Sequence, residues 1–301
     1  MNKVRCLRLT ALLLCLPLAA SLSEATVSGT AQLMHLRYSA RASLGDPLLR
    51  SSAALVLDTT NSSVLYSRRS DVALPIASIT KLMTALVVMD AAQPLDEVLQ
   101  ISVADRTRGK GSFSRLTPGT RLSRGDLMHL ALMASENRAA HALGRNYPGG
   151  VDACVSAMNA KARELGMTSA HFADPTGLSD ENVASPEDLS KLVMAAAKVP
   201  AIREYSTDGD YIVRLGRRMA HFRNTDSLVT KPDWNIVVQK TGYISQAGRC
   251  LVMQTVIEER TVVIVLLNSY GRLTRVADAR RIRRWVEATL LTHGPATATT
   301  G

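Results

Sequence analysis

A serine and a lysine three residues apart, Ser78 and Lys81, stand in the otherwise apolar segment LPIASITKLMTALVV. Residues i and i+3 share one face of a helix, so the hydroxyl and the amine can meet. Burial among leucine and methionine side chains lowers the pKa of a lysine, and a neutral amine in contact with a serine hydroxyl can take its proton. This chemistry is that of a nucleophilic serine with a lysine base. For the tetrapeptide alone, however, a helix-capping serine and a solvent-exposed lysine are the favoured interpretation.

A second polar group interrupts an apolar helical run at Ser135-Glu136-Asn137, within ALMASENRAAHAL. Ser135 could pass a proton between Lys81 and a leaving group, and Asn137 could hold a substrate amide. By themselves these residues are interpreted more simply as the polar face of a helix or the start of a loop.

A third polar group, Lys240-Thr241-Gly242, ends the apolar strand NIVVQKTG. A lysine and a threonine hydroxyl at a strand edge can bind a carboxylate, and glycine lets a substrate backbone come close. The backbone N–H of Tyr243 could join that of Ser78 in an oxyanion hole.

The elements that must position these groups are strands at both ends of the chain and helices between them. Helix starts are marked by Ser123 with Asp126 and by Ser185 with Pro186. The predicted elements are a hairpin over 53–69, helices over 79–92, 123–144, 151–167 and 185–198, strands over 234–242 and 248–269, and a helix over 274–291.

This order predicts an α/β protein of the α+β type, with one antiparallel sheet built from both ends of the chain and flanked by helices. We expect a sheet lobe of about residues 45–81 and 201–292 and an inserted helical lobe of about residues 82–200.

The N-terminus has the pattern of a cleavable secretory signal over residues 1–25: a basic start, the apolar run ALLLCLPLAA and small residues before the cleavage site. The alternative is an uncleaved anchor. No later segment reaches the roughly 18 apolar residues of a membrane span. We therefore expect a periplasmic domain over 26–293, at most peripherally associated with a membrane, and a disordered tail over 294–301.

The formal net charge of +10 suits an anionic wall polymer or membrane surface. Nucleic acid is not expected as a partner because the basic residues are scattered and aromatic residues make up only 4%, which leaves no stacking platform. No His/Cys cluster has metal-ligand spacing, so neither a metal nor a cofactor is expected. Cys154 and Cys250 lie in apolar segments and are predicted to be buried thiols rather than a disulfide.

Taken together, S-x-x-K, S-x-N and K-T-G follow one another at separations of 57 and 105 residues. This trio resembles the motifs of the active-site serine penicillin-binding proteins and β-lactamases. Glu136 stands where the second motif of that group has aspartate.

The resemblance covers about residues 50–290, including LPIASITKLMTALVVMDA, LSRGDLMHLALMASENRAAHALGRNYPGG, FRNTDSLV and QKTGYISQAGRCLVM. These segments look like the S11 family of D-alanyl-D-alanine peptidases, and most closely like its penicillin-binding protein 7 type endopeptidases. The resemblance implies a serine β-lactamase/penicillin-binding transpeptidase-like fold.

The resemblance also implies a role for each motif residue in a two-step reaction through an acyl-enzyme. The implied assignments are Ser78 as nucleophile, Lys81 as general base, Ser135 as proton shuttle, Asn137, Lys240, Thr241 and Gly242 as substrate-binding residues, and the N–H groups of Ser78 and Tyr243 as oxyanion hole. The implied partners are peptidoglycan stem peptides, with β-lactam antibiotics as covalent inhibitors.

Four functions share this set of residues. A D,D-endopeptidase is favoured because the chain stops soon after Leu291, without the β-rich domain and amphipathic helix that membrane-anchored carboxypeptidases of the family usually carry. The main alternative is a D-alanyl-D-alanine carboxypeptidase. A β-lactamase is disfavoured because HFADPTGLSDENVASPEDL does not match the Glu-containing loop of class A enzymes. A non-catalytic wall-binding module is disfavoured by the intact trio.

Overall fold

The largest sheet joins strands from both ends of the chain. The computed structural model describes residues 45–106 and 114–292, so the predicted signal peptide and C-terminal tail lie outside the described residues. The strands are β1 (Ser51–Asp58), β2 (Ser63–Arg68), β3 (Leu74–Pro75), β4 (Val98–Gln100), β5 (Arg121–Ser123), β6 (Val183–Ala184), β7 (Asp210–Leu215), β8 (Arg218–Arg223), β9 (Asn235–Ile244), β10 (Gly248–Ile257) and β11 (Arg260–Ser269).

Five of these strands form the main sheet in the order β2-β1-β11-β10-β9, with every neighbouring pair antiparallel. This arrangement confirms the antiparallel sheet predicted from both ends of the chain. The pairs β3-β6, β4-β5 and β7-β8 form separate two-stranded sheets.

The helices lie mostly between the two sets of sheet strands. They are α1 (Thr80–Asp90), α2 (Arg124–Met133), α3 (Asn137–Arg145), α4 (Gly150–Glu164), α5 (Pro186–Ala196), α6 (Pro200–Thr207) and α7 (Thr274–Thr292). Short 3₁₀ turns cover Ala77–Ile79 and Val103–Asp105.

Both faces of the sheet are buried, which explains why β11 is a continuous apolar run. Val263 and Val265 belong to the core shared with α1 and α5, whereas Ile264 and Leu266 pack with Ile282 of α7. Successive residues of a strand face opposite sides of the sheet, so two covered faces require apolar residues at every position.

Capping residues start two helices as predicted. Ser123 accepts a hydrogen bond from the Asp126 N–H and Ser185 accepts one from the Asp188 N–H, each within a capping box. Pro186 occupies the first turn of α5, where its missing N–H has no intrahelical partner to lose.

The prediction of one helix over 123–144 is wrong, because the chain breaks between α2 and α3. Ser135 has a φ of +58°, a left-handed conformation that no continuing α-helix contains. The Glu136 N–H donates to the Leu130 carbonyl (3.1 Å), and the Glu136 side chain then caps α3 by accepting from the Arg138 N–H. Apolar periodicity continues on both sides, so the pattern alone did not reveal the break.

The described residues from Asp46 onward form one compact unit. The division of this unit into a sheet lobe and a helical lobe stays a prediction. In the described part of the chain, no helix is long and apolar enough to cross a membrane.

Candidate active site

A cleft of about 280 Å³ brings together residues of all three motifs. Those that line it are Ser78, Ser135, Asn137, Thr241, Gly242 and Tyr243. The remaining two motif residues, Lys81 and Lys240, are buried beneath it, with 1% and 0% of their surface exposed.

Ser78 lies in the 3₁₀ turn that precedes α1, rather than in the α-helix itself. Side chains at i and i+3 eclipse one another in a 3₁₀ turn, and the Lys81 Nζ lies 2.8 Å from the Ser78 Oγ. Ala77 has a φ of +49°, which for a residue with a Cβ costs of order 1–3 kcal/mol. The strained residue thus lies directly before Ser78, the serine that lines the cleft.

Lys81 is desolvated, as its apolar neighbours predict. Burial lowers its pKa from the ordinary value to about 7, although the charges of Asp174 and Glu136 oppose that shift. Its Nζ also contacts the Asn137 Oδ1 (2.8 Å) and the Thr176 carbonyl (2.6 Å). Near neutral pH a large fraction of this amine is therefore uncharged and able to accept a proton from Ser78.

The loop Asp174-Pro175-Thr176-Gly177 contacts the Lys81 amine through the Thr176 carbonyl, a contact that the motifs did not predict. Asp174 accepts hydrogen bonds from the N–H groups of Thr176 (2.5 Å), Gly177 (2.9 Å) and Ser179 (2.9 Å). Burial alone would raise the pKa of Asp174, but its hydrogen bonds lower it below the usual range. The compact loop thus presents the Thr176 carbonyl to the lysine.

Ser135 is brought to the same cleft by the break between α2 and α3. Its Oγ lies 2.9 Å from the Nζ of Lys240. The hydrogen bond thus joins the second motif to the third, whereas Asn137 joins the second motif to Lys81. The two buried lysines are consequently linked through the Ser135–Asn137 segment.

Lys240 lies in β9 and is fully buried. Burial, followed by the charges of Lys81 and Arg275, lowers the pKa of its amine well below the usual value. An anion entering the cleft would counter these effects, because an opposite charge favours the protonated form. A bound carboxylate would therefore favour the protonated form of Lys240.

Gly242 lets β9 lie directly against the turn that carries Ser78. A Cβ at this position would stand 2.8 Å from the Ile76 carbonyl oxygen and 3.2 Å from the Ser78 nitrogen, closer than side chains normally approach. Beside it, the Thr241 Oγ1 lies 2.7 Å from the Oγ1 of Thr225.

Several residues of the cleft lie outside the three motifs. Thr225, Arg249 and Arg275 line the cleft, and Asp226 is buried close to it. Burial raises the pKa of Asp226, and among the described residues its Oδ2 has no hydrogen-bond partner. FRNTDSLV, which contains Thr225 and Asp226, and QKTGYISQAGRCLVM, which contains Arg249, are among the segments that resemble the family, whereas Arg275 lies in none of those segments.

Cys154 and Cys250 are both buried and free, as predicted for thiols in apolar segments. Burial raises the pKa of Cys154 to about 12 and that of Cys250 to about 11, so neither provides a thiolate.

Known proteins show which family the chain belongs to. The family model for the S11 peptidases, described as D-alanyl-D-alanine carboxypeptidase, matches residues 40–271. The chain belongs to the S11 peptidase family. It is therefore a serine-type peptidase, as predicted.

Two curated relatives are similar over most of the chain. A D-alanyl-D-alanine endopeptidase of Pseudomonas aeruginosa is 48% identical over 252 residues, which are 83% of this chain and 81% of the relative. A protein of the same name from Escherichia coli is 42% identical over 264 residues, 87% of this chain and 85% of the relative.

Solved structures share the fold. A D-alanyl-D-alanine carboxypeptidase from Mycobacterium tuberculosis matches with a TM-score of 0.75 and 27% identity, covering 82% of this chain and 94% of that one. A mutant Streptomyces K15 DD-transpeptidase matches with a TM-score of 0.73 and 25% identity, covering 81% and 100%. These matches confirm the predicted penicillin-binding fold.

Proposed function

We propose that this chain is a periplasmic serine D,D-endopeptidase that hydrolyses D-alanyl cross-bridges of peptidoglycan through an acyl-enzyme on Ser78. The observation that carries the proposal is the buried Lys81 amine, 2.8 Å from the Ser78 Oγ with a pKa lowered to about 7. The two relatives named as endopeptidases at 48% and 42% identity support the choice of bond.

In the acylation step, neutral Lys81 removes the proton from Ser78 as its Oγ attacks the D-alanyl carbonyl carbon. The developing oxyanion accepts hydrogen bonds from the N–H groups of Ser78 and Tyr243. The close approach of β9 at Gly242 supports this assignment because it draws the third motif against the turn that carries Ser78.

Ser135 delivers its proton to the leaving nitrogen as the peptide bond breaks and takes in turn the proton that Lys81 accepted from Ser78, so Lys81 is neutral again. Lys240, 2.9 Å away, orients the Ser135 hydroxyl. Lys240 and Thr241 bind the carboxylate that lies next to the scissile bond, and Asn137 holds a substrate amide. Water then attacks the ester on Ser78, with Lys81 again as base, and releases the acyl part.

A β-lactam resembles the D-alanyl-D-alanine end and would acylate the same hydroxyl. A solved structure from Mycobacterium tuberculosis, described as a penicillin-binding protein homolog, matches with a TM-score of 0.76 and 26% identity and supports this penicillin-binding character. Basic charge fits the anionic wall in which the enzyme would work.

The second candidate is a D-alanyl-D-alanine carboxypeptidase, which the description of the family model favours. A Bacillus subtilis carboxypeptidase that is 30% identical over 208 residues favours it as well. The two activities share every chemical step and differ only in the leaving group, which is a stem peptide in one and D-alanine in the other.

The deciding experiment incubates the protein and its Ser78→Ala variant with crosslinked dimers and pentapeptide monomers, and reads the products by mass spectrometry. We expect dimers to fall to monomers only when Ser78 is present. Loss of a single alanine from pentapeptides, with dimers untouched, would make the protein a carboxypeptidase. Dimer cleavage that survives Ser78→Ala would place the nucleophile elsewhere.

A further inference from the structure

Two arginine side chains line the cleft although none of the three motifs includes them. Arg249 is the second residue of β10, and Arg275 is the second residue of α7. Burial, and then the charge of Arg249, lower the pKa of the Arg275 guanidinium. The two positive groups therefore lie within electrostatic range of each other in the lining of the cleft.

The two arginines differ in their surroundings. Arg275 is close enough to the buried carboxylate of Asp226 for that charge to raise its pKa. Arg249 instead lies over the ring of Tyr243, with its Cζ 4.6 Å from the ring centroid. None of the salt bridges between described residues includes Arg249. Within the described chain it is thus a cation without a paired carboxylate.

Tyr243 fixes where this cation stands relative to the reacting groups. It follows Thr241 by two residues, so both side chains project from the same face of β9. Tyr243 is paired directly with Arg249 across the β9-β10 ladder, and 56% of its surface is exposed. The aromatic ring therefore holds the guanidinium at the solvent-facing edge of the cleft, where its planar fork can bind a carboxylate.

We propose that Arg249, held on Tyr243, binds the C-terminal carboxylate of a leaving stem peptide and so selects crosslinked substrates. This inference rests on the proposed endopeptidase function. A leaving D-alanine carries only the carboxylate next to the scissile bond, which Lys240 and Thr241 bind. A leaving stem peptide has its own C-terminal carboxylate, several bonds farther from the reacting carbonyl, and it supplies the partner that Arg249 lacks.

The test compares two synthetic crosslinked dimers, one with a free and one with an amidated C-terminus on the leaving stem. We expect the wild-type kcat/KM to be about tenfold higher for the free acid, the size of one charge-assisted contact. In Arg249→Gln this preference should shrink to within about twofold, and Arg249→Lys should restore part of it. Salt should weaken the wild-type preference because the contact is ionic and near solvent.

Two controls separate this effect from loss of fold or of charge. Arg218→Gln removes the same charge at an exposed position of β8 and should keep the full preference. The melting temperature of Arg249→Gln should remain within a few degrees of wild type, because the Arg249 side chain is only half-buried.

The outcomes distinguish the inference from the function on which it rests. If Arg249→Gln keeps the wild-type ratio between the two dimers, Arg249 does not bind the leaving stem and the inference is wrong, while the endopeptidase function stands. If the wild-type protein leaves both dimers intact but releases D-alanine from pentapeptides, the proposed function fails and the inference with it.

Discussion

In the proposed mechanism, Lys81 can act as base only if its amine loses a proton near neutral pH. Burial gives it that property, because only 1% of its surface is exposed and its pKa falls to about 7. Lys81→Arg should therefore reduce acylation of Ser78 at least about a thousandfold, since a guanidinium does not deprotonate in proteins. The measurement is the rate of labelling by a fluorescent penicillin.

The matched control for Lys81→Arg is the same change at the exposed Lys231, which should label at the wild-type rate. If a folded sample of Lys81→Arg is labelled by the fluorescent penicillin at the wild-type rate, Lys81 is not the base.

In the proposed mechanism, Asp174 affects the reaction through Lys81. Its charge raises the pKa of Lys81, and its hydrogen bonds hold the loop whose Thr176 carbonyl contacts the Nζ. Asp174→Asn removes this charge and should therefore lower the pKa of Lys81. The amine then becomes neutral at lower pH, so the ascending limb of the pH–rate profile for acylation should move to lower pH. The loosened loop should also lower the plateau. Both effects are read from a pH–rate profile.

Asp180→Asn removes a similar charge from the exposed end of the same loop and serves as control. If the ascending limb of the pH–rate profile moves in neither Asp174→Asn nor Asp180→Asn, or moves equally in both, Asp174 has no specific effect on Lys81.

At this scale the three motifs could be predicted because each has a fixed internal spacing that places polar groups in apolar surroundings. The supporting residues could not. Asp174 lies 93 positions from Lys81, and Arg249 and Arg275 reach the cleft only through the packing of β10 and α7. No local pattern encodes such contacts.

At the scale of elements, the contact between β9 and the turn of Ser78 depends on the missing side chain of Gly242. A Cβ there would stand 2.8 Å from the Ile76 carbonyl oxygen, so Gly242→Ala should push the strand away from the turn. We expect acylation to slow about a hundredfold, because a displacement of order 1 Å costs that much when groups must be aligned.

Thermal unfolding of Gly242→Ala shows whether the loss is local. The melting temperature should fall by only a few degrees, as about 1 kcal/mol implies for a domain of this size. Unimpaired acylation would show that the close approach of β9 plays no part in the reaction.

The helix starts at Ser123 and Ser185 could be predicted because capping is local chemistry. The break at Ser135 could not, since apolar residues continue at helical spacing through both α2 and α3. What ends α2 is one residue in the left-handed region, stabilised by the cap of α3 and by contacts with Lys240, which is 105 positions away.

At the scale of the whole molecule, the buried carboxylate of Asp105 ties the 3₁₀ turn over Val103–Asp105 to α3, the helix that begins with Asn137. It accepts hydrogen bonds from His141 (2.8 Å) and Arg145 (3.0 Å). Burial alone would raise its pKa, but these bonds lower it below the usual range. This stabilisation is present above the unfolded pKa of about 4 and is lost as the pH falls.

Asp105→Asn should accordingly lower the free energy of unfolding by about 2 kcal/mol at pH 7 and by less at pH 3. The measurement is urea unfolding at the two pH values. Asp210→Asn breaks the exposed pair with His221 and should change stability by less than about 1 kcal/mol at either pH. Equal losses for both variants would show that burial of Asp105 is unimportant.

The architecture as a whole could be predicted because strands at both ends and helices between them leave few ways to form one antiparallel sheet. In the structure, the continuous apolar residues of β11 fill both covered faces of the main sheet. The separate β7-β8 hairpin was not predicted. In the described part of the chain, its two strands pair with each other and with no strand of the main sheet.

The central claim is that a buried lysine with a lowered pKa activates Ser78, and the pH dependence of Ser78 acylation tests it most directly. The second-order rate constant for a fluorescent penicillin would be measured from pH 5 to pH 10 with the wild-type protein. The neutral fraction of Lys81 rises with pH, so the rate should climb about tenfold per pH unit at low pH and level off above about 7. A rate that is constant across this range, or that climbs until about pH 10 as for a solvated lysine, would contradict the account.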